Sequence, residues 1–346
     1  MLRERIVVGW FRFREVSLKT VAFFNHKGGV GKTTLVFNVG LALARQGHTV
    51  LFIDADAQAN LTSAAVPVDR YEEELDSLST IYGALLPVIN NTGDLTDVTP
   101  VKVRPNAYLL PGDIRLSAFE EILPQAWNES LAGQYRGFQI SSAMYRLIQK
   151  LGAKIDAEYA FVDLGPNVGA LNRSIMIASD GFVVPLSPDL FSLTALPSVG
   201  SSTARWILDW QAAKASATRA KLVFDIDLPE GAPSPLGYVS QQFVTYRKAP
   251  AAAFRKWSDR IPAGYEDGIV GPLREADMTI PSGGRLLGEV KNLSSLIPMA
   301  QQANRAIFEL TGSQARGAQY TRAQDTFDLF AHLADEITSR LTEVHG

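Results

Sequence analysis

The chain has 346 residues, of which 46% are hydrophobic and 20% are charged, and its formal net charge is −3. These values predict a globular protein with a sizeable core and exclude a general electrostatic attraction to nucleic acid. The absence of cysteine excludes disulfides, thiolate metal sites, cysteine-ligated iron–sulfur clusters and a cysteine nucleophile. No apolar run approaches the roughly 18 residues that span a bilayer, so we expect a cytoplasmic protein.

Residues 1–17, MLRERIVVGWFRFREVS, precede the first regular pattern and form an N-terminal leader. Its apolar part is too short for a secretory signal, and charged residues follow it. An extra strand, a flexible arm or a misassigned start explains the leader, and a membrane-touching amphipathic segment built on its aromatic residues is the alternative. The leader is too short for a separate helix-turn-helix domain, so we do not expect operator-specific repression.

From residue 18 onward, predicted strands alternate with predicted helices. Apolar runs predict strands at LKTVAFFN, HTVLFID, YAFVDLG, DGFVVPLS, AKLVFDIDL and PLGYVSQQF. Helices are predicted at 32–46, near 297–310 and at 327–341, with helices and loops from about 71 to 151. This order predicts an α/β fold with a mostly parallel sheet covered by helices on both faces. We expect one domain from 18 to 346, with an insertion at about 71–151.

A glycine-rich turn, NHKGGVGKTT, lies between the first predicted strand and the first predicted helix. In this context such a turn directs backbone N–H groups and a helix N-terminus at phosphate oxygens, although a glycine-rich turn can also be purely structural. Lys32 is expected to neutralise the β- and γ-phosphates, Thr33 to bind Mg²⁺ and Thr34 to reach the α-phosphate. A standard phosphate loop has glycine where His26 stands here. The other expected nucleotide-binding residues of the turn are Gly28, Gly29, Val30 and Gly31.

Two acidic signals follow the glycine-rich turn along the chain. Asp54 and Asp56 end the second strand, and Asp163 ends a later one. Open α/β sheets bind ligands at this edge, where paired carboxylates can hold a metal-bound water and orient an attacking water. Asp-x-Asp after a strand also caps helices or shapes turns. Asp163 has the position of a Walker B aspartate, which holds Mg²⁺ through water, and Gly165, Pro166 and Asn167 then predict a stiff turn that can sense the γ-phosphate.

Three segments, KGGVGKTT, DADAQANLT and FVDLGPN, together resemble the ParA/MinD family of deviant Walker A P-loop ATPases, and the ParA branch most closely. VVPLSPDLFSLTAL is also similar to the family, and the likeness runs from about Leu18 to Leu196. Two positions depart from the family's pattern. Ala57 replaces the proline of the switch segment, and Gly165 replaces the first proline of the Walker B turn. Both departures bear on the stiffness of the switch and on the rate of hydrolysis.

The resemblance implies a three-layer P-loop NTPase fold, slow Mg²⁺-dependent ATP hydrolysis and ATP-driven closure of two subunits into a sandwich homodimer. Lys27 matches the family's signature lysine, which reaches the partner's phosphates. Asp56 matches the aspartate that positions the attacking water, and Asp163 matches the Walker B residue. Gln241 stands where the family often has an adenine-contacting side chain. If Lys27 of the other subunit supplies the cation, catalysis depends on dimerisation, and the nucleotide controls which partners bind.

The ParA branch typically binds DNA without sequence preference, through basic residues on the dimer surface. The segment at 243–260, FVTYRKAPAAAFRKWSDR, contains five basic residues and a single acidic one. It predicts phosphate contacts by Arg247, Lys248, Arg255 and Lys256. A solvated helix face with its aromatic residues packed inward explains the same pattern.

Two classes of function remain open at this point. The first is a DNA-partitioning ATPase that works with a ParB-like, centromere-bound activator. The second is a ParA-like switch that positions a protein cargo or gates another complex. Beside these two classes, a metabolic synthetase of the same fold is a third, weaker possibility. The last predicted helix mixes acidic and basic residues, so we expect no membrane partner. DNA binding would make the cytoplasmic protein nucleoid-associated.

Overall fold

The computed structural model describes residues 18–70, 79–242, 256–291, 293 and 295–345. The leader at 1–17 and residues 71–78 of the expected insertion therefore lie outside the described residues. So do three of the four residues expected to contact DNA, namely Arg247, Lys248 and Arg255.

The described strands form one sheet with the order β3-β4-β2-β5-β1-β6-β7-β8. Neighbouring strands are parallel, except that β3 runs antiparallel to β4. In chain order the strands are β1 (Lys19–Phe23), β2 (Val50–Ala55), β3 (Val101–Arg104), β4 (Ala107–Leu110), β5 (Tyr159–Leu164), β6 (Gly181–Leu186), β7 (Ser234–Gln242) and β8 (Leu286–Lys291).

Helices cover both faces of this sheet, and within the described residues none is long and apolar enough to span a membrane. The helices are α1 (Lys32–Arg45), α2 (Asn60–Ala65), α3 (Ile81–Ile89), α4 (Ser117–Leu131), α5 (Tyr135–Ser141), α6 (Ala143–Lys154), α7 (Ala170–Ala178), α8 (Leu190–Arg219), α9 (Ile261–Tyr265), α10 (Gly271–Glu275), α11 (Leu296–Gln302) and α12 (Ala318–His345). A π-helical turn at Glu266–Val270 joins α9 to α10.

The central strands are buried on both sides, which explains their continuous apolar runs. In β1, Val21 and Phe23 pack into a core with α1, α11 and α12, whereas Ala22 packs into a second core with α3 to α8. This alternation follows the two-residue period of a strand. The resulting three layers confirm the predicted α/β fold, with a mostly parallel sheet between two layers of helices.

The strand predicted at AKLVFDIDL, residues 220–228, is wrong, because the structure has no strand there. Lys221 has a positive φ of 53°, which interrupts an extended chain. Leu222, Phe224 and Leu228 instead pack from a loop against the core, and the Phe224 ring lies 5.0 Å from that of Phe138. The apolar residues of this segment therefore pack against the core from a loop and do not pair in a strand.

Three strands were not predicted from the sequence. β3 and β4 lie inside the region expected to contain only helices and loops, and each has four residues. β8 contains Gly288, where an added Cβ would lie 2.7 Å from Leu333 of α12. Short strands and a glycine that admits close helix packing give little local strand signal.

Gly40, in α1, lies where this helix contacts the sheet. A Cβ atom added there would lie 2.3 Å from Cε1 of Phe52 and 3.2 Å from Cδ2 of Phe161. Because both rings are fully buried, we expect Gly40→Ala to lower the free energy of unfolding by about 1–3 kcal/mol, measured by urea denaturation. Gly284→Ala is the control, since no atom lies within 4 Å of its added Cβ. Equal losses in both variants would contradict the close contact.

Candidate nucleotide-binding site

The parallel register brings the three sequence motifs together at the carboxyl edge of the sheet. Asp163 of β5 is the register partner of both Phe23 in β1 and Asp54 in β2. The segments that follow these strands therefore surround one cavity of about 670 Å³. The residues predicted from the sequence that line it are Gly28, Gly29, Gly31, Lys32, Thr33, Thr34, Asp56 and Pro166.

The glycine-rich turn has the backbone conformation that its sequence demands. Gly29 and Gly31 have φ values of 71° and 79°, in the left-handed region that other residues enter only with strain. Gly31 is the N-cap of α1, so the positive end of this helix faces the cavity. The Val30 side chain is fully buried and does not line the cavity, which anchors the turn in the core.

Lys32 is the cation at the floor of the cavity. Only 7% of the residue is exposed, and its Nζ lies 3.4 Å from the backbone oxygen of Asn25. Burial lowers the pKa of the Lys32 ammonium, and the negative charges of Asp163 and Asp56 oppose that shift. A buried ammonium with few fixed partners is well placed to bind an incoming anion.

Thr33 and Asp163 are joined directly, since Thr33 Oγ1 donates a hydrogen bond of 2.6 Å to Asp163 Oδ2. Asp163 Oδ1 is buried and has no hydrogen-bond partner within the described part of the chain. Burial raises the pKa of Asp163 to about 8, and the neighbouring Asp54 adds to the rise. A hydroxyl and a carboxylate oxygen suit a hard divalent cation such as Mg²⁺. The residues present therefore fit a Mg²⁺ site.

The two aspartates of the Asp-x-Asp segment have different surroundings. Asp54 is fully buried and accepts hydrogen bonds of 2.7 Å from both the backbone N–H and the hydroxyl of Thr62. Burial raises the pKa of Asp54 to about 6, against these bonds. Asp56 instead lines the cavity and accepts a bond of 3.1 Å from the N–H of Gln58. Asp54 holds the loop, whereas Asp56 is open to a water molecule.

Lys27 is turned away from the cavity that Lys32 lines. Its Nζ forms an ion pair with Asp189, the N-cap residue of α8, and its backbone N–H bonds Asn25 Oδ1 at 3.0 Å. The Lys27 and Asp189 side chains are 29% and 34% exposed. A pair this exposed is worth about 0–1 kcal/mol, so a phosphate group can readily displace it.

Gln241, near the end of β7, does not line the cavity. It is 1% exposed, and neither Nε2 nor Oε1 has a hydrogen-bond partner among the residues described.

Of the residues expected to contact DNA, Lys256 is described and is exposed. Its Nζ lies 5.2 Å from the centroid of the Trp257 ring.

Several lining residues were not predicted from the sequence. Gln58, Asn60 and Ser63 belong to the segment after Asp56, and Ile297 and Gln301 extend the cavity from α11. Gln58 and Asn60 lie in DADAQANLT, a segment that resembles the family, but no role was predicted for them. Ile297 and Gln301 carry no local motif, and they reach the site because α11 packs beside α2 and α1 on the same face of the sheet.

A sequence model of the family described as an AAA domain matches residues 18–206. ParA of Caulobacter vibrioides, a chromosome partitioning protein, is 31% identical over 179 residues, which cover 52% of this chain and 60% of that protein. Soj of Bacillus subtilis, a sporulation initiation inhibitor, is 31% identical over 180 residues, 51% of this chain and 62% of Soj. An uncharacterised Mycobacterium tuberculosis protein is 32% identical, with 49% of its length covered. The match thus spans about half to three fifths of these relatives.

Solved structures resemble this fold over most of the chain. A protein of Corynebacterium diphtheriae superimposes with a TM-score of 0.67 at 24% identity, covering 83% of this chain and 97% of that one. A plasmid partition protein of Borrelia burgdorferi bound to AMPPNP has a TM-score of 0.57 at 16% identity, covering 93% and 99%. These similarities show a shared fold.

Thr62 connects the buried carboxylate of Asp54 to the next loop, because its hydroxyl also accepts a 2.8 Å hydrogen bond from the N–H of Gly112. Thr62→Val keeps the shape and removes both contacts. We expect it to lower the free energy of unfolding by about 1–3 kcal/mol in urea denaturation, since it leaves a buried carboxylate and a buried N–H without this partner. Thr62→Ser keeps the hydroxyl and is the control. A valine variant as stable as the serine variant would contradict the role of this network.

Proposed function

We propose that this chain, which belongs to the AAA-domain family of ParA/MinD-type P-loop ATPases, is an ATP-driven dimerising switch. It binds ATP with Mg²⁺, closes with a second copy into a sandwich homodimer, hydrolyses the ATP slowly and binds DNA in the closed state. The observation that carries this proposal is the unlike placement of two lysines. Lys32 lines the cavity, whereas Lys27, in the same turn, does not.

ATP is the substrate that the cavity fits. Its phosphates lie against the N–H groups of the glycine-rich turn and the N-terminus of α1, with Lys32 beside the β- and γ-phosphates. Thr34 lies in the same cavity as Ile297 and Gln301, so the nucleoside extends towards α11. We also propose that Gln241 contacts the adenine. Its two amide atoms, which have no hydrogen-bond partner among the described residues, support this contact. It requires the buried side chain to become accessible when the nucleotide binds.

Mg²⁺ is the cofactor that the polar groups beside the phosphates fit. Thr33 Oγ1 would coordinate it, and Asp163 would hold it through water. Bound Mg²⁺ neutralises charge on the phosphate oxygens. The unpartnered Oδ1 of Asp163 and its raised pKa support this assignment, because a cation stabilises a buried carboxylate.

Hydrolysis requires an attacking water and positive charge around the transferred phosphoryl group. Asp56, on the cavity wall, orients the water. Lys32 supplies one positive charge from its own subunit. Lys27 supplies a second to the partner's nucleotide, after leaving Asp189. Since a cation provided in trans contributes on the order of 10³–10⁵-fold in related phosphoryl transfers, the isolated subunit hydrolyses ATP very slowly.

A complementation experiment tests whether Lys27 acts across the dimer. Lys27→Ala and Asp56→Ala are each expected to abolish ATP hydrolysis while retaining nucleotide binding. In an equal mixture, half of the random dimers are mixed, and each mixed dimer has one complete site. The mixture should therefore recover about a quarter of wild-type turnover, measured by phosphate release.

The same mixture distinguishes the alternatives. If Lys27 acted on its own subunit's nucleotide, no site in a mixed dimer would be complete, and the mixture would stay inactive. Unchanged turnover of Lys27→Ala alone would show that Lys27 is not the required cation. Lys214→Ala is the control and should leave turnover unchanged, because this partly buried lysine of α8 does not line the cavity and its Nζ contacts the backbone oxygen of Glu230 at 2.8 Å.

DNA is the proposed partner of the ATP-bound dimer. Lys256 and Arg260 are both exposed and flank Trp257, with Arg260 Cζ 5.5 Å from its ring centroid. This arrangement supports a basic surface in the described part of the 243–260 segment. Contacts to phosphate require positive charge rather than base-reading side chains, so the binding is expected to be independent of sequence and sensitive to salt. We propose a ParB-like protein as the activator of hydrolysis and a nucleoid-associated location.

We expect the fourfold variant Arg247→Ala, Lys248→Ala, Arg255→Ala and Lys256→Ala to weaken ATP-dependent DNA binding uniformly across sequences. The slope of log affinity against log salt should become shallower by about 1 for every phosphate-binding side chain that is removed, measured by fluorescence anisotropy. The variant Lys150→Ala, Lys154→Ala is the control, because these lysines lie outside the 243–260 segment and pair with Asp97. Salt-sensitive binding that persists in the fourfold variant would remove the patch from the proposal.

A further inference from the structure

The turn that follows Asp163 touches both loops of the nucleotide cavity. Pro166 lines the cavity, and a Cβ added at Gly28 would lie 3.9 Å from Pro166 Cγ. A Cβ added at Gly165 would lie 3.5 Å from Asp56 Oδ1. The position of this turn therefore affects both the phosphate-binding loop and the carboxylate proposed to orient the attacking water.

The first residue of the turn places few restrictions on its own backbone conformation. Gly165 has no side chain to restrict its conformation, and glycine explores more conformations than any other residue. Phosphoryl transfer depends on positioning, and a misplacement of about 1 Å can cost on the order of 10²-fold in rate. A group that binds the backbone at Gly165 therefore adds to the restraint that the Pro166 ring gives the turn.

Asn172 of α7 makes the contacts that restrain it. Its Nδ2 donates hydrogen bonds of 2.9 Å to the backbone oxygen of Gly165 and 2.7 Å to that of Asn167. Both partners are carbonyl oxygens, so only the nitrogen of the amide can face them. Asn172 is 1% exposed. The two ends of the turn are thus joined through one buried amide group.

We propose that Asn172 is a positioning residue for ATP hydrolysis, one that clamps the Gly165–Asn167 turn so that Pro166 and Asp56 keep their places around the nucleotide. This inference rests on the proposed ATPase function. Asn172 itself does not line the cavity. It acts through the carbonyl groups it binds, and it supplies the restraint that Gly165 lacks.

The helix that carries Asn172 is anchored independently of it. Ser174 Oγ donates a 3.0 Å hydrogen bond to the backbone oxygen of Ser141, and Leu171 and Ile175 are buried in the core. Removing the Asn172 amide therefore frees the turn and leaves α7 in place. The expected defect is in turnover rather than in folding or in nucleotide affinity.

The test compares Asn172→Ala with Ser174→Ala, which removes a buried hydrogen bond from the same helix without touching the turn. We expect Asn172→Ala to lower kcat about tenfold or more while the ADP dissociation constant changes less than about threefold. Ser174→Ala should change neither value. Asn172→Asp keeps the shape but sets an acceptor against two carbonyl oxygens, so its kcat should fall at least as far.

A second substitution separates a positioning role from a merely structural one. Gly165→Ala fits the fold, since the nearest atom to its Cβ is 3.5 Å away, and it restricts the backbone at the start of the turn. Introduced into Asn172→Ala, it should restore part of the lost kcat. Thermal unfolding is measured on every variant.

Each outcome decides between these roles. If the wild type hydrolyses ATP and Asn172→Ala turns over equally fast, the positioning role is overturned and the proposed function stands. If Asn172→Ala loses kcat and ADP affinity together with its thermal stability, and Gly165→Ala restores none of it, the amide is only structural. If the wild type does not hydrolyse ATP, the proposed function is overturned, and this inference with it.

Discussion

The parallel pairing of β1, β5 and β2 is the constraint on which the site depends. It sets Asp163 beside both Phe23 and Asp54, so that the segments after three distant strands meet at one edge of the sheet. Asp163 is fully buried there, and this burial, together with the negative charge of Asp54, raises its pKa. The bond from Thr33 joins the start of α1 to β5 across this position. A shift of one residue in either pairing would separate these groups.

The charged side chains around Asp163 differ in how deeply they are buried. Lys32 is enclosed at the floor of the cavity, where its interaction with an anion is weakly screened. Lys27 is held at the surface by a partly exposed ion pair that costs little to break. Asp54 is committed to Thr62, whereas Asp56 is not buried. The same turn and the same Asp-x-Asp segment thus each contain one enclosed and one available charge.

Strong local patterns allowed the fold to be predicted from the sequence, and most of the residues proposed for the site lie around one cavity. Apolar runs of strand length identified β1, β2, β5, β6 and β7, and the turn before α1 was recognisable from its glycine-rich sequence between a strand and a helix, where Gly29 and Gly31 have positive φ values. Features that depend on tertiary packing were missed. AKLVFDIDL resembles a strand but packs as a loop through Phe224, and Ile297 reaches the cavity only because α11 folds back across the sheet. Likewise, no pattern revealed that Asn172 would bind two carbonyl groups of the turn after Asp163.

The central claim is that ATP joins two copies of this chain and that Asp56 then acts in hydrolysis. The most direct test is a measurement of molar mass in solution by light scattering, with and without ATP and Mg²⁺, for the wild type and for Asp56→Ala. We predict a monomer without nucleotide and a dimer with ATP, which persists longer in Asp56→Ala because the nucleotide is not consumed. A monomer under every condition, in both proteins, would contradict the account.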